Sequence, residues 1–163
     1  MSWLINNFDN FSSKVAIVHK DIEYTYQQLS DEISKIKDIL LDNNIQKGQV
    51  IAILGDYSFH NIALLLALYK NKNIIVPITT IVENEIQDKI EESFTDIIIS
   101  VTNEAYKIKN LVSNEKHAMI KSLQQSENSG LILFSSGSTG KPKAMIHNFD
   151  NLIDHYKEKK KNQ

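Results

Sequence analysis

The chain has 163 residues, of which 42% are hydrophobic and 23% charged, so it can form one ordinary domain core and is not intrinsically disordered. Its formal net charge is −2 and its pI about 6.2, which argues against nucleic acid or an anionic membrane as a partner. The absence of cysteine excludes disulfides, thiolate zinc sites and cysteine nucleophiles.

The N-terminus has neither a basic start nor a continuous apolar stretch, so we predict no signal peptide. The longest apolar run, residues 62–69, is far shorter than the roughly 20 residues that a membrane-spanning helix needs. We therefore expect a cytoplasmic protein without a membrane partner.

The first elements are two short strands and a helix. Residues 14–18 form an apolar run, and residues 22–26 alternate in polarity as on a half-buried strand. Leu29, Ile33, Ile36 and Leu40 then recur at helical spacing. Residues 25–28 form a capping box, which predicts that this helix begins just after Thr25.

Three continuous apolar runs follow, at residues 50–54, 74–76 and 96–101, and each predicts a strand buried on both faces. Helical patterns separate them. One is capped by Ser58, and the other starts with a second capping-box pattern at residues 80–83. Strands that alternate with helices predict βαβ units and a mainly parallel sheet, which is an α/β fold.

The pattern weakens over residues 102–130, which we interpret as a linking region. Within it, residues 118–120 predict a short strand and residues 122–130 a polar surface loop. Residues 131–134 and 144–146 predict two strands of a β-hairpin, followed by a helix capped by Asn148 or Asp150. The charged stretch 157–163 is expected to be a frayed tail.

The loop between these last two strands is rich in serine and glycine and has the composition of a phosphate-binding loop. Glycines allow positive φ and close approach of the backbone, and consecutive N–H groups form an anion-binding nest. The residues concerned are Ser135, Ser136, Gly137, Ser138, Thr139 and Gly140, followed by the cation Lys143.

Two known phosphate motifs do not fit this loop. A Walker A loop fails because Ser135 stands where glycine is needed and Pro142 where serine or threonine is needed. A Rossmann fingerprint fails because Gly137 and Gly140 supply only two of its glycines and a strand, not a helix, follows. From the residues alone, a simple hairpin connection remains an equal alternative.

Four segments of the chain resemble the adenylate-forming superfamily, which includes acyl-CoA synthetases, peptide-synthetase adenylation domains and luciferases. Residues 132–143 match its signature at every restricted position. Residues 24–29 resemble its Leu-Thr-Tyr-x-Glu-Leu motif, residues 47–53 its Gly-Asp-x-Val-Ala segment, and residues 68–77 its helix–turn–Val-Pro segment. These segments have the family's order and cover almost the whole chain.

The resemblance implies the N-terminal part of the large adenylation domain of a ligase. Such an enzyme joins a carboxylic acid to the α-phosphate of ATP with the help of Mg²⁺, and then passes the acyl group to the thiol of CoA or of a carrier's phosphopantetheine. By this resemblance Ser135, Ser136, Gly137, Ser138, Thr139 and Gly140 bind phosphate, and Lys143 is a supporting cation. The resemblance places no catalytic residue and no metal ligand in this chain, and the five histidines lack metal-ligand spacing.

The chain departs from the family at three positions. Ala144 stands for a glycine, Phe149 for a histidine that His147 could replace, and Lys72 for a glycine before the Val-Pro strand. For the third, we predict that Asn71 or Asn73 takes the left-handed turn instead.

Family members are a few times longer, so residues 1–163 are expected to be a truncated N-terminal portion that is inactive alone. Its exposed core face would then lead to self-association. Two alternatives remain: a non-catalytic module that binds nucleotide or a partner chain, and a structural fragment without a ligand.

Overall fold

The computed structural model describes residues 3–79, 81–102, 104–112, 115–136 and 142–161. The helices are α1 (Trp3–Asn6), a 3-10 turn (Phe8–Phe11), α2 (Tyr26–Asp42), α3 (Phe59–Lys70), α4 (Glu83–Glu92), α5 (Ala118–Gln125) and α6 (Phe149–Lys161). The strands are β1 (Val15–His19), β2 (Ile22–Thr25), β3 (Val50–Leu54), β4 (Ile74–Ile78), β5 (Ile97–Thr102), β6 (Ala105–Asn110), β7 (Gly130–Ser136) and β8 (Pro142–Asn148).

The main sheet has six strands in the order β6-β5-β3-β4-β7-β8. Its four inner strands are parallel, while β6 and β8 pair antiparallel at the two edges. Strands β1 and β2 form a separate antiparallel pair. The predicted α/β fold with a mainly parallel sheet and a β7–β8 hairpin is therefore confirmed.

Side chains of the inner strands alternate between two core layers, because successive residues of a strand face opposite sides of the sheet. Ile51, Ile53 and Ile75 join a layer with α2 and α3. Val50 and Val76 join a second layer with residues of α4 and α5. The sheet is covered on both faces, as the continuous apolar runs predict.

Of the caps predicted for α2, α3 and α4, the first two are confirmed and the third is wrong. Thr25 and Gln28 form the reciprocal capping box of α2, and Ser58 accepts a hydrogen bond at the start of α3. The capping box expected at residues 80–83 is wrong, because α4 has Val82 as its N-cap and no side-chain cap hydrogen bond. The apolar side chain of Val82 cannot accept a hydrogen bond, and Thr80 lies outside the described residues.

Between β5 and β7, the described residues form two regular elements, β6 and α5. The strand predicted at residues 118–120 is wrong, because these residues form the first turn of α5. Ile120 and Leu123 are three residues apart on this helix and pack into the second core layer. A three-residue apolar run is too short to distinguish this helical spacing from a strand.

The turn between α3 and β4 also differs from the prediction. Lys72 itself has the left-handed conformation, with φ of 63°, whereas Asn71 is right-handed. Asn73 is fully buried, and its side chain donates to the carbonyl of Gln46 at 2.8 Å. The placement of the turn at Asn71 or Asn73 is therefore wrong.

Helix α6 begins with the predicted cap, because Asn148 Oδ1 accepts from Asn151 N at 3.0 Å. The helix continues through Lys161 into the stretch 157–163, of which residues 162 and 163 lie outside the described part. In the described ranges, no helix is both long and apolar enough to cross a membrane.

Candidate functional site

The serine- and glycine-rich loop connects the two strands of the β7–β8 hairpin. The strands pair in register from Gly130 opposite Asn148 to Ser136 opposite Pro142. Of the predicted phosphate-binding residues, the structure places Ser135, Ser136 and Lys143. The other four lie outside the described residues, namely Gly137, Ser138, Thr139 and Gly140.

Ser135 and Lys143 are direct cross-strand partners at the loop end of this hairpin. Partners in an antiparallel pair lie on one face of the sheet with Cβ atoms about 5 Å apart. Ser135 is half-buried and Lys143 exposed. Ser136 pairs with Pro142 one step nearer the loop. The structure thus brings together a hydroxyl donor and a cation where the loop leaves the sheet.

The end of the hairpin away from the loop is fixed by close packing around Gly130. Its N–H donates to the carbonyl of Asn73 at 3.1 Å. A Cβ atom at this position would lie 2.5 Å from Leu123 Cδ2 and 3.0 Å from two carbons of Ile74. Only glycine therefore fits where β7 starts beside β4.

Asp150 forms a second anchor for the hairpin, a role beyond the helix cap that the sequence suggests for it. Its Oδ1 accepts from Lys72 Nζ at 2.6 Å and from Tyr69 OH at 3.2 Å. Its Oδ2 accepts from Ser129 N at 2.7 Å. This carboxylate joins the end of α3, the left-handed turn, the residue before β7 and the start of α6. In the sequence, this anchor is indicated only by Lys72, which replaces the glycine of the family. The fold shows that its partner is Asp150.

Phe149 stands where the family resemblance has a histidine, and it is a packing residue here. Its ring makes an edge contact with Tyr69 at 5.0 Å and packs against the first core layer. His147 is the cross-strand partner of Leu131 and lies on the same face of β8 as Lys143. Its side chain therefore lies on the same face as Lys143, four residues further along the strand.

A cluster of titratable groups lies on the other side of the molecule, where α2, α3 and β6 meet. Glu32 Oε1 accepts from Tyr106 OH at 2.6 Å and lies 3.3 Å from His60 Nδ1. Burial raises the pKa of Glu32, but hydrogen bonds from Tyr106 and His60 and the charge of Lys35 outweigh it, so the net shift is downward. Burial and the hydrogen bond to Glu32 raise the pKa of the Tyr106 hydroxyl. Along the described ranges, no three acidic or histidine side chains form a group that could hold a metal ion.

A sequence model of the AMP-binding enzyme family matches residues 5–162. The D-alanine–D-alanyl carrier protein ligase of Staphylococcus haemolyticus is 32% identical over 165 residues, which cover 93% of this chain and 32% of that protein. Bacitracin synthase 1 of Bacillus licheniformis is 26% identical over 132 residues, covering 81% of this chain and 2% of that protein. The chain therefore spans a third or less of these relatives.

Among solved structures, the chain resembles the N-terminal subdomain of Klebsiella oxytoca NpsA in complex with 3-hydroxyanthranilyl-AMSN. The TM-score is 0.66 at 24% identity, covering 90% of this chain and 40% of that one. This likeness supports the fold, and the sequence match extends over nearly the entire chain. The protein belongs to the AMP-binding enzyme family.

Proposed function

We propose that the β7–β8 hairpin and its loop bind the β- and γ-phosphates of ATP. The observation that carries this proposal is the register pair of Ser135 and Lys143 at the mouth of the loop. A hydroxyl donor and an ammonium on one face of a rigid hairpin can both bond to oxygens of one polyphosphate. Gly137 and Gly140 would let loop N–H groups approach the same anion.

The reaction proposed for the whole enzyme is activation of a carboxylate. A carboxylate oxygen attacks the α-phosphorus of ATP, the bond from that phosphorus to the β-bridging oxygen breaks, and pyrophosphate leaves with the negative charge. The residues of this chain hold the leaving pyrophosphate in place and stabilise its charge, with Lys143 as the fixed cation. Mg²⁺ would arrive bound to the triphosphate and neutralise part of its charge.

We propose that the activated acid is an amino acid and that the acceptor is the thiol of a carrier protein rather than CoA. This proposal is supported by the similarity to the Staphylococcus haemolyticus relative, which is a ligase for D-alanine and a D-alanyl carrier protein. Residues 1–163 alone are proposed not to catalyse the reaction, because they span about a third of that ligase. Amino-acid-dependent exchange of pyrophosphate into ATP by this chain would contradict the last point.

The proposal is tested by asking which part of ATP the chain recognises. Adenosine, AMP, ATP and inorganic tripolyphosphate are titrated separately, with Mg²⁺, while amide NMR signals are followed. We expect ATP and tripolyphosphate to shift the signals of Ser135 and Lys143, and adenosine to leave them unchanged.

The opposite pattern would reject the phosphate assignment. Shifts with adenosine but not with tripolyphosphate would place recognition on the base, away from the hairpin. No shift with any of the four would support the alternative of a structural fragment without a ligand.

A further inference from the structure

A half-open cavity of about 410 Å³ lies on the face of the hairpin opposite Ser135 and Lys143, between β8 and the helices α4 and α5. Its walls are mainly apolar and include Phe94, Ile120, Ile132, Ala144 and Ile146. Pockets for small molecules are concave, mostly apolar and roughly 300–1,000 Å³ in volume. The cavity is at the small end of that range, which suits one or two fused rings.

Phe94 forms one wall in a backbone conformation that bulky residues rarely adopt. It follows the C-cap of α4 with φ of 56°, at the position where a left-handed residue is usually glycine. Lys116 Nζ donates to the Phe94 carbonyl and forms an ion pair with Asp96 at 2.6 Å, and both charged side chains are only 11% exposed. This buried pair holds the carbonyl of Phe94, and with it the backbone from which the ring projects.

His117 supplies a polar group at the same wall, with its ring centroid 6.3 Å from that of Phe94. Its Nδ1 accepts from Met119 N at 3.2 Å, capping α5. The neutral ring must then carry its proton on Nε2. The cavity therefore has an aromatic wall and one oriented N–H donor beside it.

The residues at the rim of the cavity indicate which class of ligand it can bind. Glu92 lines the cavity and repels an anion, while the apolar walls make burial of any full charge costly. Met119 also lines it and is 57% exposed. Unbranched methionine side chains adapt to ligands of different shapes.

We propose that this cavity binds a small uncharged aromatic molecule, whose ring packs against Phe94 and whose acceptor atom takes the N–H of His117. This cavity lies on the opposite face of the hairpin from Ser135 and Lys143, because Ala144 and Ile146 face one side of β8 and Lys143 the other. The chain would then bind two ligands, the proposed nucleotide at the hairpin loop and an aromatic molecule in this cavity.

Quinoline is the probe, because it is bicyclic, uncharged at neutral pH and has one acceptor nitrogen. Titrated into the 163-residue chain, it should shift the amide signals of Phe94, Ile120 and Ala144 saturably, with a dissociation constant on the order of 1 mM. Quinoline-4-carboxylate, the anionic analogue, should bind at least about tenfold more weakly because of Glu92 and the apolar walls.

Two variants test the assignment. Phe94→Gly removes the ring and suits the left-handed backbone, so the fold should persist while the dissociation constant rises at least about tenfold. Ala144→Leu fills the cavity from the other wall and should have the same effect. Lys143→Ala, on the opposite face, should leave quinoline binding unchanged.

Three outcomes would overturn the proposal: no saturable shift up to about 20 mM quinoline, equal binding by the carboxylate, or unchanged binding in both Phe94→Gly and Ala144→Leu. Loss of binding in the two wall variants, with retention in Lys143→Ala, would establish it.

Discussion

Lys72 shows how one side chain can stabilise an unfavourable backbone. A left-handed conformation is costly for lysine relative to glycine. Here Lys72 Nζ reaches Asp150 at 2.6 Å, and Asp150 also binds Tyr69 and the N–H of Ser129. A turn without glycine is therefore compensated by an ion pair that also holds the end of the hairpin away from the loop.

We predict that Asp150→Ala lowers the free energy of unfolding by about 2 kcal/mol, because it removes three hydrogen bonds to one carboxylate. Urea denaturation followed by circular dichroism measures the change. Asp154→Ala is the matched control, since Asp154 is exposed on the same helix, and it should change stability by less than about 0.5 kcal/mol. Equal effects of the two substitutions would show that the anchor contributes nothing.

Glu32 and Tyr106 should make stability depend on pH at both extremes. The folded-state pKa of Glu32 is lowered below 4.5, so its contribution is present above pH 4.5 and is lost as the pH falls through the folded value. The folded-state pKa of Tyr106 is raised above 10.0, so its contribution is present below pH 10 and is lost as the pH rises further.

We predict that Tyr106→Phe reduces stability at neutral pH by about 1 kcal/mol, the typical net value of one hydrogen bond. The difference between the two proteins should shrink below pH 4.5 and again above pH 10. The measurement is the urea midpoint as a function of pH. A difference that stays constant across the whole range would mean that the hydroxyl does not interact with ionised Glu32.

The helices differ in how well their own residues start them. Helix α2 has a complete capping box, whereas α4 starts at Val82 without a side-chain cap. Val82 is half exposed and has the extended backbone of an N-cap. A hydroxyl placed there could accept from an N–H group of the first turn.

Val82→Ser should therefore stabilise the protein by roughly 0.5–1 kcal/mol. The midpoint of thermal unfolding measures this gain. Val82→Thr is the matched variant, which keeps the branched shape while adding the hydroxyl, and it should also raise the midpoint. A lower midpoint for both would show that burial of Val82 outweighs the cap.

Elements with strong periodicity or continuous apolar runs were predictable from the sequence, whereas β6 and α5 were not. The three- and four-residue spacing of apolar residues in α2 and the apolar runs of β3, β4 and β5 reflect burial patterns that the chain itself encodes. The strand β6 shows only a partial alternation, because it is an edge strand. Helix α5 has eight residues, too few to show more than two turns of periodicity.

The phosphate loop could be proposed from the sequence because its residues are contiguous. The sequence predicted the hairpin, but only the register shows that Ser135 faces Lys143. The contacts of Asp150 with Tyr69 and Lys72 connect residues about eighty positions apart. The wall formed by Phe94 and Ala144 also joins residues far apart in sequence. No local pattern marks either arrangement.

The six-stranded sheet ends in two unlike edges. Strand β6 has exposed lysines at Lys107 and Lys109, which is a common protection against edge-to-edge pairing. At the other edge, Met145 on β8 and Leu133 on the adjoining β7 are 43% and 37% exposed on one face. An apolar edge of this kind favours association.

We therefore predict that the 163-residue chain self-associates through the β8 edge, and that its mass by light scattering rises with concentration. Met145→Lys should lower that mass, because a charge on the exposed edge opposes pairing. The control is Lys107→Met, which makes the reverse change, from charged to apolar, at the β6 edge. A strictly monomeric wild-type chain at every concentration would reject this prediction.

The sheet also offers an internal control for the nucleotide proposal. Ser135 and Lys143 pair across β7 and β8, while Ser100 and Lys107 pair across β5 and β6. The two pairs have the same chemistry at opposite edges, but only the first lies beside the serine- and glycine-rich loop. If ATP were held by general electrostatic attraction, removing either Lys143 or Lys107 would weaken its binding equally. If the hairpin forms a specific phosphate site, only the loss of Lys143 would weaken it.

The decisive measurement is calorimetric titration of Mg-ATP into the wild-type chain, Lys143→Ala and Lys107→Ala. We predict binding by the wild type and by Lys107→Ala, and binding at least about tenfold weaker in Lys143→Ala, because a charge-assisted bond to phosphate is lost. Equal weakening by both substitutions, or binding unaffected by Lys143→Ala, would contradict a phosphate site at the β7–β8 hairpin.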